Sequence, residues 1–373
     1  MPEITRRTLT FCLALGGVGA GAANARETRG DPASVTSIKL SRELNLSTRG
    51  VATAVAWSPD GSRLAAASAY GEDLTVWDNS GSVVNRIKRI GGGLYVDNSL
   101  AFVSGPSELL FPAPQTADAT ACADVWDVAT GRIVNSVPGP APEVNDYARN
   151  RARHFVVSPD QTIAAAAPNV GGYIAIYETN NWKRTKILKI ESGVETLGFF
   201  PDGQRLSIGS ILLGHFLIAD ISSAQITADF VLYASKFAHI SIGTVAVSPN
   251  ADFVLTGIGT VTIPGEYYRS AEARTWDQAV RPPVSIWRIK DGSYVTGLRN
   301  VQLPIRQAVW DPKNRFVAFV DNAATLFVWE PQAPQVAPTQ ISLPGSTLSL
   351  AISHSGSHLA VANGNGIRVY QID

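Results

Sequence analysis

Five histidines, two cysteines and a set of recurring aspartates are the residues with which this chain could do chemistry. His354-Ser-Gly-Ser-His358 sets two histidines four apart. On a helix that spacing would put both imidazoles on one face, as in a zinc pair. Here Gly356 and two serines mark a turn and no acidic residue or cysteine is close, so turn and surface histidines are the expectation. Asp60, Asp160 and Asp202 invite an acid/base or metal reading, yet each follows a proline in the same kind of turn. An aspartate there bonds the backbone ahead of it, which explains all three. Cys12 and Cys122 have no metal-ligand spacing, and Cys122 reads as a buried, inert thiol. Gly91-Gly-Gly93 stands between two strands and reads as a connector, not a phosphate loop, and Gly-x-Ser-x-Gly is absent. No catalytic residue, metal or cofactor is assigned.

The elements that would carry such residues repeat. Val55 to Trp57 is an apolar run stopped by Ser58-Pro59-Asp60-Gly61, a turn in which proline presets φ and glycine accepts a positive one. Leu64 to Ala69, Leu74 to Trp77 and Val83 to Ile87 follow as short strands. The turn recurs as Ser158-Pro159-Asp160, Pro201-Asp202-Gly203, Ser248-Pro249-Asn250 and Asp311-Pro312-Lys313. The third strand recurs as Val125-Trp126-Asp127, Ile176-Tyr177-Glu178, Ile286-Trp287-Arg288, Val328-Trp329-Glu330 and Val369-Tyr370-Gln371. Pro159 to Pro201 is 42 positions, as is Pro312 to His354. A four-stranded sheet cannot bury both faces alone, and copies at this period make the blades of an all-β propeller. Seven blades are predicted, with Trp77, Trp126, Trp287 and Trp329 as core. Blade four is the least regular: Ala219 replaces its third-strand aromatic, and Phe230 to His239 is an apolar connector expected to pack. The chain ends on a third strand, Gly366 to Ile372, and begins its fold with a lone strand over 36–45. The lone strand should complete the last blade and close the ring.

Formal net charge is zero, so no strong field is expected for nucleic acid or anionic lipid. Thr5-Arg6-Arg7, the apolar run Leu9 to Leu15, and Ala23-Asn24-Ala25 have the order of a signal peptide over residues 1–25, with a linker over 26–35. The paired arginines resemble a bacterial twin-arginine export signal, which implies a periplasmic or secreted protein. No integral membrane segment is expected in the mature chain, and on its own it should be a monomer.

Trp57-Ser-Pro-Asp-Gly61 followed by Leu74-Thr-Val-Trp-Asp78 resembles the WD40 repeat, and weaker copies cover nearly the whole mature chain. The resemblance implies a propeller that serves as a rigid platform, most often for protein partners. One departure stands out. Blades of that family commonly carry a Gly-His pair before the first strand, whose histidine joins a buried polar network with an Asp, a Ser or Thr and the Trp. None of the five histidines sits there in its blade, so that network is not expected.

Function is then sought where the chain departs from its repeat. Three insertions, 112–121, 138–153 and 259–283, join second to third strands or one blade to the next, and in this arrangement such loops share a rim. They carry Tyr147, Arg149, Arg151, Tyr267, Tyr268, Arg269, Arg274, Trp276 and Arg281, of the residue types that dominate binding hot spots. The expectation is a non-catalytic platform that binds a protein there. The alternative is a lactonase- or dehydrogenase-like propeller enzyme with its site at the mouth of the central channel. That reading would need polar residues on several innermost strands, whereas Val, Ala, Phe and Leu stand out there.

Overall fold

The computed structural model describes residues 35, 37–46, 51–68, 73–88, 100–113, 121–139, 152–168, 172–235, 238–262, 281–333, 336–364 and 366–373. The signal and nearly all of the linker predicted before residue 36 lie outside them. Strand β1 (Ile38–Asn45) comes first. Blade one is β2 (Ala52–Trp57), β3 (Arg63–Ser68), β4 (Asp73–Asp78) and β5 (Val83–Lys88). Blade two is β6 (Ala101–Val103), β7 (Glu108–Pro112), β8 (Ala121–Asp127) and β9 (Ile133–Pro138). Blade three is β10 (Ala152–Val157), β11 (Ile163–Pro168), β12 (Tyr173–Glu178) and β13 (Arg184–Lys189). Blade four is β14 (Val194–Phe199), β15 (Arg205–Ser210), β16 (His215–Asp220) and β17 (Gln225–Val231). Blade five is β18 (His239–Val247), β19 (Phe253–Thr262), β20 (Val284–Arg288) and β21 (Tyr294–Leu298). Blade six is β22 (Gln307–Trp310), β23 (Val317–Val320), β24 (Thr325–Trp329) and β25 (Thr339–Ser342). Blade seven is β26 (Thr347–Ile352), β27 (His358–Asn363) and β28 (Gly366–Ile372), with β1 as its outer strand.

Each blade is a four-stranded antiparallel sheet, and the seven form the ring of a β-propeller. The closing strand pairs as the sequence predicts, from Ile38 opposite Ile372 to Asn45 opposite Gly366. The innermost strand of blade two has only three residues.

Both faces of a blade are apolar, so burial happens at the seams. The described residues form seven apolar clusters, each shared by two neighbouring blades. The third-strand aromatics Trp77, Trp126, Tyr177, Trp287, Trp329 and Tyr370 are all buried in these clusters, as expected of core. In blade four Leu232 and Tyr233 are buried too, so the connector after β17 packs.

The first turns explain their aspartates. Ser58 Oγ donates to Asp60 Oδ1 at 2.6 Å and accepts from Arg63 N–H at 2.9 Å, while Asp60 also accepts from Ser62 N–H. Blade three repeats this with Ser158, Asp160 and Thr162. In blade four Asp202 accepts from Gln204 N–H and pairs with Arg205 at 2.7 Å. In blade six the fully buried Asp311 pairs with Arg315 at 3.0 Å, and Arg315 reaches on to the Gly356 carbonyl of blade seven.

A second stitch runs around the channel. Thr244 Oγ1 accepts from Ala308 N–H at 3.0 Å, Gln307 Oε1 from Leu350 N–H at 3.0 Å, and Ser349 Oγ from Val55 N–H at 3.3 Å. Each bond joins the innermost strand of one blade to that of the next. They give partners to N–H groups on strand edges that have no fifth strand beside them. At the matching positions blades one and two have Ala54 and Leu100, which carry no acceptor. This corrects the purely apolar picture of the innermost strands, since His154, Thr196, Thr244, Gln307 and Ser349 all lie on them.

Candidate functional site

Because strands alternate in direction, links from second to third strand and from one blade to the next emerge on one rim of the ring, here the upper rim. The three longest connections between described strands, 263–283, 139–151 and 89–100, are of these two kinds. The longest on the lower rim is 330–338.

Of the nine rim residues singled out in the sequence, Tyr147, Arg149, Arg151, Tyr267, Tyr268, Arg269, Arg274 and Trp276 lie outside the described residues. Arg281 is described and exposed. Its guanidinium lies over the Tyr294 ring at 4.6 Å and at 5.9 Å from that of Trp287. That cation–π contact ties the end of the insertion to blade five.

The insertion also begins later than predicted. Strand β19 continues through Gly259 to Thr262, paired with a β18 of nine residues. His239 sits opposite Thr262 and Ile240 opposite Val261, beyond two register shifts. The extra pairing makes this innermost hairpin longer than its counterparts in the other blades, whose strands have three to six residues.

What anchors the long hairpin is a network the sequence argued against. Trp287 Nε1 donates to Thr256 Oγ1 at 2.7 Å, and the Tyr233 hydroxyl lies 2.9 Å from the same oxygen. Tyr233 enters from the blade four to five link, before the first strand of blade five, where the resemblance noted above would put a histidine. It meets the Trp287 ring edge-on at 5.6 Å. Burial pushes the Tyr233 phenol up to about 12, so it stays a neutral hydroxyl. Gly214 makes room for this link: its φ is +64°, and a Cβ there would lie 2.4 Å from the Tyr233 carbonyl oxygen. Leu232 N–H and Tyr233 N–H both donate to Gly214 O.

Beside it stands a feature that sequence reasoning missed. Leu212 and Leu213, 42% and 54% exposed, form the tip of the turn between β15 and β16. Leu213 takes a φ of +69°, uncommon for a residue with a branched side chain. Ser210 holds the turn, donating to Leu212 O and accepting from His215 N–H at 2.9 Å. Gly214 N–H donates to Ile240 O at 2.8 Å, which sets the leucines against the long hairpin. The signal in the sequence is the pair of leucines before Gly214, where a turn of polar residues would be ordinary.

The two histidines of the 354–358 pair separate. His354 is exposed on the turn, whereas His358 opens β27, where its ring lies 6.1 Å from that of Trp57. Burial, with Arg42 nearby, lowers its pKa. Cys122 is buried, its thiol pushed up to about 12 by desolvation, and Sγ points at Pro138 O at 3.2 Å. The Tyr177 hydroxyl shares that carbonyl at 2.9 Å.

The family model for the WD domain, G-beta repeat, matches residues 30–78, which span the closing strand and most of blade one. With seven blades of this architecture in the ring, the chain is a WD40-repeat β-propeller. No curated protein matches it.

Proposed function

We propose that the protein is a non-catalytic platform that binds a protein partner on its upper rim, through the insertions 112–121, 138–153 and 259–283. The WD40 fold is typically a protein-interaction platform. The observation that carries the reading is the concentration of departures from the blade pattern on that rim. The longest connections, the lengthened β18–β19 hairpin and the exposed Leu212–Leu213 tip all belong to it. The Tyr, Trp and Arg residues of the insertions are of the types that dominate hot spots, and the exposed leucines add apolar surface at a turn of the same rim. Part of the same proposal is that residues 1–25 act as an export signal and that the protein works in the periplasm or outside the cell.

The test is a comparison of three baits in native extract of the source cells. They are the chain from Arg26, a form with Gly265 to Val280 replaced by a short Gly-Ser turn, and Leu212→Ser/Leu213→Ser. A defined protein held by the first at micromolar affinity and released at least about tenfold faster by both others supports the rim. Equal retention by all three folded baits sinks it. Fractionation of cells expressing the full chain tests the export claim, and a cytoplasmic product with residues 1–25 intact would refute it.

A further inference from the structure

The channel through the ring holds two joined cavities of about 440 and 430 Å³, within the usual range for small-ligand sites. They share Leu100, Ala101, Val157, Pro159 and Gln307 as a waist. The lower one is more apolar than polar, walled by Trp57, Phe102, Val309, Leu350 and Ile352, with Ser58, Ser158, Gln161 and His354 also on its lining. The upper one adds Arg306, His154, Thr196 and Thr244. Neither has an Asp or Glu among its described lining residues.

At the waist Gln307 is oriented by the stitch already described. Its Oε1 accepts from Leu350 N–H, which fixes the amide so that its nitrogen is the free end. Arg306 spends one of its five donors on Asn322 Oδ1 at 3.1 Å. The upper half therefore offers an amide N–H₂ and a guanidinium with no carboxylate among its described lining residues, and the lower half offers a wall that is mostly hydrocarbon. The waist also touches Leu100 and Ala101 of blade two, where the stitch is interrupted and the innermost strand is shortest.

From this polarity we infer that the central channel binds an amphipathic monocarboxylate, head up at Arg306 and Gln307, tail down between Phe102 and Ile352. The carboxylate answers the donors by charge-assisted hydrogen bonds, and the tail leaves water for the apolar half. A channel whose innermost strands run mostly to six residues is about 20 Å deep, enough for an extended medium-length chain. This site is independent of the upper-rim partner reading.

Titration calorimetry on the full chain tests it with three probes: dodecanoate, dodecanol and butyrate. Dodecanoate is expected to bind once per chain, with dodecanol and butyrate each weaker by about tenfold or more. Arg306→Ala should weaken dodecanoate about tenfold and leave dodecanol unchanged, while Arg306→Lys keeps part of the gain. Ala351→Phe, at a partly exposed position on the lower wall, should weaken both long probes. No dodecanoate binding, equal binding of dodecanol, or binding indifferent to both Arg306→Ala and Ala351→Phe overturns the inference. Should Ala351→Phe melt early, the comparison of Arg306→Ala with Arg306→Lys on dodecanoate and dodecanol decides alone.

Discussion

Thr256 is a small residue with a large share of blade five's order. Its hydroxyl oxygen meets both the Trp287 N–H and the Tyr233 hydroxyl in a fully buried spot. Removing the tyrosine hydroxyl leaves the Trp287 bond in place, so Tyr233→Phe should cost about 1 kcal/mol. Thr256→Val strands the buried Trp287 N–H, while the Tyr233 hydroxyl keeps the Thr256 carbonyl at 3.3 Å, and should cost about 2–3 kcal/mol. Urea denaturation followed by tryptophan fluorescence measures both, and a Thr256→Val loss no larger than that of Tyr233→Phe would remove Thr256 from the centre of the network. The network was hard to see in the sequence for a physical reason. A tyrosine hydroxyl does the work of an imidazole nitrogen from a longer ring, so its residue sits in a link whose motif looks unrelated. Conversely Asp60, Asp160 and Asp202 were legible, because a Pro-Asp turn satisfies its own backbone and needs nothing distant.

At the scale of elements, short acidic turns between third and fourth strands lock the outer hairpins of blades one, two and four. Asp78 accepts from Ser80, Asp127 from Thr130, and Asp220 from Ser222 and Ser223. These bonds favour the carboxylate and hold each of these aspartates below its ordinary range, Asp220 at about 2. A depressed acid stabilises the fold above its unfolded value of 3.8 and loses that contribution as pH falls through the folded one. The protein should therefore lose stability between pH 3.8 and about 2, and Asp220→Asn should show a shallower loss across that window. Thermal melts of both forms at pH 5, 3.5 and 2.5 check this; parallel curves would mean the turn bonds do not couple to folding. Strand period and turn chemistry made the blades readable, since both are local. The bonds from Thr244, Gln307 and Ser349 were not, because each joins residues 43 or more positions apart. The rim is legible only as an excess of loop length. Tyr147 and Trp276, among others, fall outside the described residues, and Leu212–Leu213 is a short turn that length could not flag.

For the whole molecule, β1 decides whether the ring is a ring. It pairs along β28, places Leu44 in the seam between blades seven and one, and is tied by Arg368 to Glu43 at 2.6 Å. Ser37 Oγ donates to Asp373 Oδ2 at 2.7 Å at the far end. A chain starting at Leu46 leaves β28 as an open edge and uncovers the apolar seam. It should melt at least about 4 °C lower and associate through the bare strand. Light scattering with a melting curve settles this, and a monomer of unchanged melting point would show the closure to be decorative. Adding the missing strand as a peptide of residues 35–46 should restore the monomer.

The order of synthesis gives that closure a timetable. The strand that locks the ring is the first of the fold to leave the ribosome, and its mate is the last. Six blades can form while β1 waits unpaired, and the seventh can shut only when β28 emerges. Until then every growing chain carries a loose sticky end with a cognate edge on any finished neighbour. Crowded synthesis should thus favour chains that trade first strands with each other, and dilution or slow expression should favour those that close on themselves.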